Sequence, residues 1–285
     1  MKGTFRQRPE QPHITLRRQL LDGSSSLSNP APPRKASAAD VEGVGALAQE
    51  QLTEHGVVAI SLDRPMTNRE YLAFGALLGT AQLEHSPAVQ PFVEEGVILN
   101  LVTCEPATSN PDLQPFAANW LALHSESSSL PIAAQPRFVS LMCLAADGDS
   151  AAETVLVPMR QVFDALTDED RKLLANTRYD GRDEAPPLLR YDRGRPVFSI
   201  RDFQDENLEW ECLCGAAEPA EVDEALIRLY AAMYGGRCYH ISWQCGLLVV
   251  IDNTVHFHGR TIACAPPKNG PLRHLKRLRL SAAAS

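Results

Sequence analysis

A histidine and an acidic residue stand two positions apart in the middle of the chain. In the segment Leu-His-Ser-Glu at 123–126, His124 and Glu126 would point to the same face of an extended strand, because side chains alternate between faces. An imidazole and a carboxylate on one face can reach a single metal ion. Taken alone, the pair is also compatible with a solvated turn, because serines occupy 125 and 127–129.

Two further histidines follow an apolar run near the C-terminus. The run at 247–251 predicts a buried strand, which leads into Asp252 and Asn253, and we expect a turn to carry His256 and His258. Either histidine could complete a metal site, and spacing alone does not choose between them. A strand end with turn residues is the alternative interpretation.

One carboxylate and two histidines form the facial triad of non-haem iron(II) oxygenases. Three protein ligands occupy one face of an octahedron and leave three positions, of which a 2-oxo acid can take two and dioxygen one. A structural zinc site would instead be closed by four ligands and would be richer in cysteine.

A basic segment lies at 273–279. In a strand, Arg273, Arg277 and Arg279 would share one face, and a guanidinium can bind a carboxylate through two parallel hydrogen bonds. A charged edge strand is the alternative interpretation of the same pattern.

Together these segments resemble the 2-oxoglutarate-dependent iron(II) oxygenases of the taurine dioxygenase superfamily. More narrowly, they resemble the clavaminate synthase branch with its arginine and asparagine hydroxylases, since a glutamate stands at 126 where most of the superfamily has aspartate. A carboxylate at this position also argues against a halogenase. The resemblance covers roughly residues 45–281 and depends on four segments, taken in their order along the chain. They are Leu-His-Ser-Glu at 123–126, Phe-Val-Ser-Leu-Met-Cys-Leu-Ala-Ala-Asp-Gly-Asp-Ser-Ala-Ala-Glu-Thr at 138–154, Ile-Asp-Asn-x4-His-Gly-Arg at 251–260 and Arg-His-Leu-Lys-Arg at 273–277.

The resemblance implies a mainly β fold with flanking helices, built on a distorted double-stranded β-helix (jelly roll). It implies that the iron ligands are His124, Glu126 and His258, because the family histidine comes five residues after the asparagine of Asp-Asn. Arg273 would bind the far carboxylate of 2-oxoglutarate with help from Thr154. The step from His258 to Arg273 is one residue longer than is usual in the family, so Arg277 stays an alternative for this role.

The implied reaction uses Fe(II), 2-oxoglutarate as co-substrate and O2. It oxidises, most often by hydroxylation, an unactivated C–H bond of an amino acid or an amino-acid-derived intermediate of natural-product biosynthesis. Desaturation and ring closure are alternative outcomes, and a zinc hydrolase or a non-catalytic jelly-roll binding protein are alternative classes. Arg277 could hold a substrate carboxylate. Arg201 and Asp202, with Asp205 and Glu206, lie in the segment that forms a lid or substrate wall in the family, where Asp202 could bind an ammonium or guanidinium group. A solvated loop is the alternative interpretation of this segment.

Charge and composition restrict the partners. Lys plus Arg is 27 and Asp plus Glu is 35, which gives a net charge of −8 and disfavours nucleic acid or an anionic membrane as a partner. No apolar run approaches the roughly 18 residues of a spanning helix, and no secretory signal is visible. We therefore expect a soluble cytoplasmic enzyme acting on a small molecule. Seven cysteines, an odd number, do not indicate a disulfide framework.

The chain divides by composition into an N-terminal arm or linker (1–40), a single oxygenase domain (41–281) and a short tail (282–285). A Ser/Pro-rich stretch at 24–33 marks the arm. No glycine-rich loop joins a strand to a helix, so nucleotide-binding folds are not supported. Helices are predicted at 40–55, from the capping box at Thr67 to Leu78, from Thr167 to Leu174 and at 221–234, and strands at 57–60, 97–102, 138–144, 246–251 and 278–280.

Overall fold

The computed structural model describes residues 1–22, 32–103, 111–146, 152–182, 184–202, 207–215, 217–263 and 273–282. Within these ranges the fold is mainly β with flanking helices, as predicted. The helices are α1 (Pro12–Leu21), α2 (Val41–His55), α3 (Asn68–Leu78), α4 (Met159–Asp164), α5 (Asp168–Ala175) and α6 (Pro219–Gly235). The strands are β1 (Lys2–Phe5), β2 (Arg34–Ala36), β3 (Val57–Leu62), β4 (Gly79–Ala81), β5 (Val93–Glu94), β6 (Ile98–Val102), β7 (Leu121–His124), β8 (Phe138–Ala146), β9 (Thr154–Pro158), β10 (Thr177–Tyr179), β11 (Leu189–Asp192), β12 (Arg195–Phe198), β13 (Leu208–Cys212), β14 (Tyr239–Ile241), β15 (Leu247–Asp252), β16 (His256–Arg260) and β17 (Arg273–Ala282).

The largest sheet has eight strands in the order β2-β3-β15-β8-β17-β6-β5, with β4 also pairing with β17. Its strands pair antiparallel except for β2 and β3. One face packs against α2 and α3 in a cluster that includes Leu52, Phe74 and Leu278. The opposite face presents Leu141, Val249 and Leu275 to a second cluster. The sheet is therefore buried on both faces, which explains its long apolar runs.

A four-stranded sheet in the order β14-β9-β16-β7 covers that second face. Leu156 from β9 and Ile241 from β14 join the same cluster as the large sheet. Leu123 and Phe257 point the other way, into a core that also contains residues of α6. The layers are thus helices, large sheet, small sheet and helices, and polar residues on the inner face of the small sheet lie between two sheets.

The N-terminal residues are packed elements. β1 pairs with β13, which also pairs with β10, and Phe5 is buried. Helix α1 lies against α6 and buries Leu20 and Leu21. Residues 2–21, which the sequence assigned to an arm or linker, therefore contribute to the core. Most of the Ser/Pro-rich stretch, residues 23–31, lies outside the described residues, and the division into arm, domain and tail stays a prediction.

Local signals in the sequence place several helix ends correctly. The Asp40 side chain accepts a hydrogen bond from the Gly43 N–H at the start of α2, and Gly56 ends that helix with a φ of 68°. Thr67 and Glu70 form the predicted capping box of α3. The last strand is longer than predicted, because β17 begins at Arg273.

The prediction that a turn carries both His256 and His258 is wrong, because the turn is shorter than expected. The turn occupies only 253–255, and His256 already begins β16. The cause is tertiary: β16 pairs with β9 along its whole length and with β7 on its other side, and these partners hold the polar segment extended.

None of the helices in the described ranges is long and apolar enough to cross a membrane. The five cysteines within these ranges are free, whereas Cys104 and Cys264 lie outside them.

Candidate metal centre

Two histidines face each other across neighbouring strands of the small sheet. His124 is the last residue of β7, and His258 lies opposite it in β16, with the two ring centroids 4.3 Å apart. The register shifts between His258 and Arg260, which marks a bulge beside the pair. The pairing of two strands thus brings together imidazoles that are far apart in the sequence.

Glu126 completes the cluster from the turn after β7. Its Oε2 lies 3.6 Å from Nε2 of His124 and 3.5 Å from Nε2 of His258. One ligand atom from each of the three residues lies within 4.8 Å of the others. Two imidazole nitrogens and one carboxylate oxygen match the donor set of a facial triad, so these residues fit a divalent cation.

His256, the alternative that spacing left open, is not part of this cluster. It is buried two residues earlier in β16, and burial lowers its pKa to about 4. The structure therefore places His258, and not His256, beside His124 and Glu126.

Glu126 is held by Asn253, which was not predicted as a site residue. The Asn253 side chain accepts a hydrogen bond from the Glu126 N–H at 2.7 Å and donates to the carbonyl oxygens of Glu126 at 3.2 Å and Pro136 at 3.0 Å. Asn253 therefore fixes the turn that carries the carboxylate. The polar Asp-Asn pair that directly follows an apolar strand was the signal in the sequence.

The first histidine is fixed by backbone contacts. Nδ1 of His124 lies 2.8 Å from the carbonyl oxygen of Ala122, which leaves Nε2 on the side of Glu126. The backbone of His124 also pairs with that of Arg201 in an isolated bridge. The ring orientation is thus set by groups that need no metal.

The other oxygen of Glu126 faces two arginines of β17. Nη1 of Arg277 donates to Oε1 of Glu126 at 3.1 Å, and Nη1 of Arg279 lies 3.9 Å from the same oxygen. Burial alone would raise the pKa of Glu126, but Arg277 and the two imidazoles hold it well below its ordinary value. The carboxylate is therefore an anion at neutral pH, as a metal ligand must be.

A second buried carboxylate, Glu84, lies behind these arginines. Its oxygens accept hydrogen bonds from Nη2 of Arg277 at 2.9 Å and from Nη2 of Arg279 at 2.7 Å. Glu84 was not predicted from the sequence, because it stands in a loop without a motif. Arg277, predicted to contact a substrate carboxylate, is already paired with two carboxylates of the chain.

Arg273 lies at the start of β17 with 3% of its surface exposed. Its Nη1 makes a long contact of 3.4 Å with the carbonyl oxygen of Ala152, and its Nε has no hydrogen-bond partner among the described residues. Burial lowers the pKa of this guanidinium to about 10. Its donors thus have capacity for an anion.

Thr154, the predicted assistant of Arg273, begins β9. It is buried, and its hydroxyl accepts a hydrogen bond from the indole N–H of Trp243 at 3.1 Å. Both Thr154 and Arg273 line the same cavity as the three clustered residues.

A third buried arginine, Arg260, has a different role. Its guanidinium donates to the carbonyl oxygens of Pro115 at 2.7 Å, Asn119 at 2.6 Å and Gln114 at 3.0 Å. It therefore ties β16 to the segment that enters β7.

Asp202 is hydrogen-bonded to residues of the N-terminal part of the chain and of α6. Its carboxylate is fully buried and accepts hydrogen bonds from Nη1 of Arg17 at 2.8 Å and from the hydroxyl of Tyr234 at 2.7 Å, as well as from the amide of Gln7. Arg201 and Asp202 both line the cavity, but this carboxylate already has three donors. Asp205 and Glu206, from the same predicted lid segment, lie outside the described residues.

A cavity of about 640 Å³ connects these groups. Its wall carries all three members of the cluster, Arg273 and Arg277 from β17, and the serines at 127–129. Its volume lies within the roughly 300–1,000 Å³ that is typical of small-molecule pockets.

The comparisons with known proteins agree with this geometry. The family model "Taurine catabolism dioxygenase TauD, TfdA family" matches residues 31–279. No curated protein sequence is significantly similar to the chain.

Several solved structures share the fold at low sequence identity. A crystal structure of asparagine oxygenase is 18% identical with a TM-score of 0.62, over 98% of this chain and 93% of that chain. The non-haem iron oxygenase OrfP, solved with Fe and alpha-ketoglutaric acid, is 19% identical with a TM-score of 0.61, over 97% and 93%. PvcB from Pseudomonas aeruginosa is 20% identical with a TM-score of 0.62, over 90% and 91%.

The fold and the two-histidine, one-carboxylate cluster define the class of non-haem metal oxygenases. The chain belongs to the taurine dioxygenase TauD/TfdA family, whose model spans most of its length. The enzyme class predicted from the sequence, an Fe(II)/2-oxoglutarate-dependent dioxygenase, is confirmed.

Proposed function

We propose that the chain hydroxylates an unactivated C–H bond of an amino acid or of an amino-acid-derived natural-product intermediate. In this proposal His124, Glu126 and His258 bind Fe(II), and Arg273 with Thr154 binds the far carboxylate of 2-oxoglutarate. The observation that carries it is the convergence of three ligand atoms within 4.8 Å on the wall of a cavity that Arg273 also lines. Two facing sheets around this cavity support a double-stranded β-helix, or jelly roll, as the core.

The protein's own groups prepare the site. When bound, the iron supplies the activation of dioxygen, coupled to oxidative decarboxylation of 2-oxoglutarate. The chain contributes two imidazoles and an ionised carboxylate; burial lowers the pKa of His258 to about 4 and keeps that ring neutral at pH 7.

Arg273 suits the co-substrate better than Arg277 does. Arg277 is paired with Glu126 and Glu84, whereas Arg273 makes one long hydrogen bond to a carbonyl oxygen and has no ion pair among the described residues. A buried guanidinium without a counter-charge favours an anion, because burying it unpaired is costly. The segment that contains the extra residue between His258 and Arg273 lies outside the described residues.

The amino-acid substrate class rests on similarity and on the polarity of the cavity. Asparagine oxygenase was solved with 3-hydroxyasparagine and succinate, and OrfP with 3-hydroxyarginine. In this chain Arg201 lines the same cavity and could receive a substrate carboxylate. Arg277 also lines the cavity, but its guanidinium is already paired with Glu126 and Glu84. We do not assign the substrate's cationic group to Asp202, because Arg17, Tyr234 and Gln7 already occupy that carboxylate.

A succinate-release screen tests the proposal. The enzyme is incubated with Fe(II), 2-oxoglutarate and, one at a time, free amino acids and small cyclic or peptide derivatives. The masses of the products are measured by mass spectrometry. We expect substrate-dependent succinate and a product one oxygen heavier, both absent in His124→Ala. A product lighter by two hydrogens would instead indicate desaturation or ring closure. A protein that gives no weak visible charge-transfer band in an anaerobic titration with Fe(II) and 2-oxoglutarate contradicts the oxygenase assignment and leaves a zinc hydrolase or a binding protein.

A further inference from the structure

Four charged side chains beside the candidate metal centre alternate in sign. Arg277 contacts Glu84 at 2.9 Å and Glu126 at 3.1 Å, and Arg279 contacts Glu84 at 2.7 Å and lies 3.9 Å from Glu126. The exposed fractions of the four side chains are 18% or less. We call these four residues the charge ring.

Glu84 is the member of the ring that does not touch the metal cluster. Its backbone is fixed on both sides, because its N–H donates to the carbonyl oxygen of Gly96 and its own carbonyl accepts from the side chain of Gln90. Its carboxylate is 4% exposed and uses one oxygen for each arginine. A carboxylate held in this way is a rigid support for two flexible side chains.

The ring divides the two oxygens of Glu126 between two tasks. Oε2 faces the imidazoles of His124 and His258, whereas Oε1 faces the guanidinium of Arg277. Without Glu84, the guanidinium groups of Arg277 and Arg279, which are largely shielded from solvent, would compete for the one carboxylate left in the ring. The two arginines would then bind Glu126 more tightly, and the site would carry surplus positive charge. Both effects would oppose the binding of a cation.

We propose that Glu84 is a positioning residue of the metal centre, which acts through Arg277 and Arg279 to keep Glu126 available to the metal ion. This inference rests on the proposed metal site at His124, Glu126 and His258. Mutation of a residue that holds a metal ligand in place commonly lowers metal affinity by about 10- to 100-fold.

Binding of Mn(II), followed by electron paramagnetic resonance in the full chain without co-substrate, tests the inference directly. We expect Glu84→Gln to weaken Mn(II) binding by about 10- to 100-fold. The matched control is Glu94→Gln, because Glu94 also pairs with a cation of β17, Lys276 at 2.7 Å, but is not part of the ring. This control should bind Mn(II) like the unaltered protein.

Removing one arginine separates charge balance from packing. The double variant Glu84→Gln/Arg279→Gln again has one guanidinium for one carboxylate, so we expect it to recover most of the lost affinity. Arg279→Gln alone should bind Mn(II) at least as tightly as the unaltered protein, and it carries the test if Glu84→Gln does not fold.

The outcomes distinguish the two proposals. If the unaltered protein does not bind Mn(II), the proposed metal site fails. If it binds, the role of Glu84 is overturned by unchanged affinity in Glu84→Gln, by a double variant weaker than Glu84→Gln, or by a loss of more than about 10-fold in Arg279→Gln.

Discussion

His124 and His258 are directly opposed residues on the antiparallel strands β7 and β16. Because strand side chains alternate between faces, a slip of one residue would replace His258 by Phe257, which now packs in the apolar core on the other face. The candidate metal centre thus depends on strand register as much as on residue type. Apolar burial on one face of β16 specifies the position of the histidine on the other.

Removing either opposed histidine should abolish metal binding and leave the fold intact. His124→Ala and His258→Ala each delete one of only three protein donors, and neither side chain is part of the apolar clusters. Titration with Fe(II) or Mn(II) measures the loss, and thermal unfolding checks the fold. His256→Gln, two residues along the same strand, is the control and should retain metal binding. Succinate formation coupled to substrate in His124→Ala would remove His124 from the site.

Close approach of β16 to β7 requires a glycine beside the site. A Cβ at Gly259 would lie 2.8 Å from the backbone oxygen of Leu121 and 3.2 Å from a methyl carbon of Leu123. We expect Gly259→Ala to destabilise the protein by about 1–3 kcal/mol, a range typical of overpacked cores, and to weaken metal binding by forcing the two strands apart.

Urea unfolding and Mn(II) titration measure these two effects. Gly215→Ala is the matched control, because a Cβ there meets no atom within 4 Å, and it should change stability by less than about 0.5 kcal/mol. Equal stability and equal metal affinity in both variants would show that the strands can accommodate a methyl group at 259.

Local patterns in the sequence predicted the elements with strong local signals. The capping residues Asp40 and Thr67 and the apolar run at 247–251 predicted helix starts and a buried strand, because their signals lie within a few residues. His124 and Glu126 were predicted to reach one metal ion for the same reason, because they lie two residues apart. These parts of the structure are determined by short-range chemistry.

The remaining features depend on contacts that are distant in the chain. β16 is a strand because β7 and β9 pair with it, and the residues at 256–260 alone favour a turn. Glu84 and Arg277 are 193 residues apart in the sequence, and Asp202 and Arg17 are 185 residues apart. No local pattern could therefore connect either pair. Asp202 was predicted to face substrate because it lies in the segment that forms a lid or substrate wall in the family, and its partner Arg17 lies in a segment that was interpreted as an arm.

Acid should destabilise the docking of α1 through His13. This imidazole is fully buried between Phe5 and Tyr230, neither ring nitrogen has a hydrogen-bond partner among the described residues, and burial lowers its pKa to about 4. In the unfolded chain the pKa is about 6.5, so protonation favours unfolding. The contribution is present above pH 6.5 and is lost as the pH falls toward 4.

Urea unfolding at pH 7 and pH 5 isolates this contribution. His13→Phe should remove about 1–2 kcal/mol of the stability that the unaltered protein loses between these pH values. His55→Gln removes an exposed histidine and serves as the comparison variant for the loss of an imidazole outside the core. A pH dependence that is identical in His13→Phe and the unaltered protein would mean that His13 does not contribute to it.

Variants of Arg273 and Arg277, two of the three arginines of β17, should differ in their effect on the binding of 2-oxoglutarate. Arg273→Gln removes the buried guanidinium with an unpartnered donor, and we expect the 2-oxoglutarate KM to rise at least about 30-fold, which corresponds to about 2 kcal/mol for a buried charged contact. Arg277→Gln should leave that KM within about threefold, while substrate KM and metal affinity change. Succinate release against 2-oxoglutarate concentration gives both values, and calorimetric binding of 2-oxoglutarate to the Mn(II)-loaded protein gives them without turnover. The reverse pattern, a large rise in Arg277→Gln and none in Arg273→Gln, would assign the co-substrate to Arg277, because both side chains line the same cavity four residues apart on one strand.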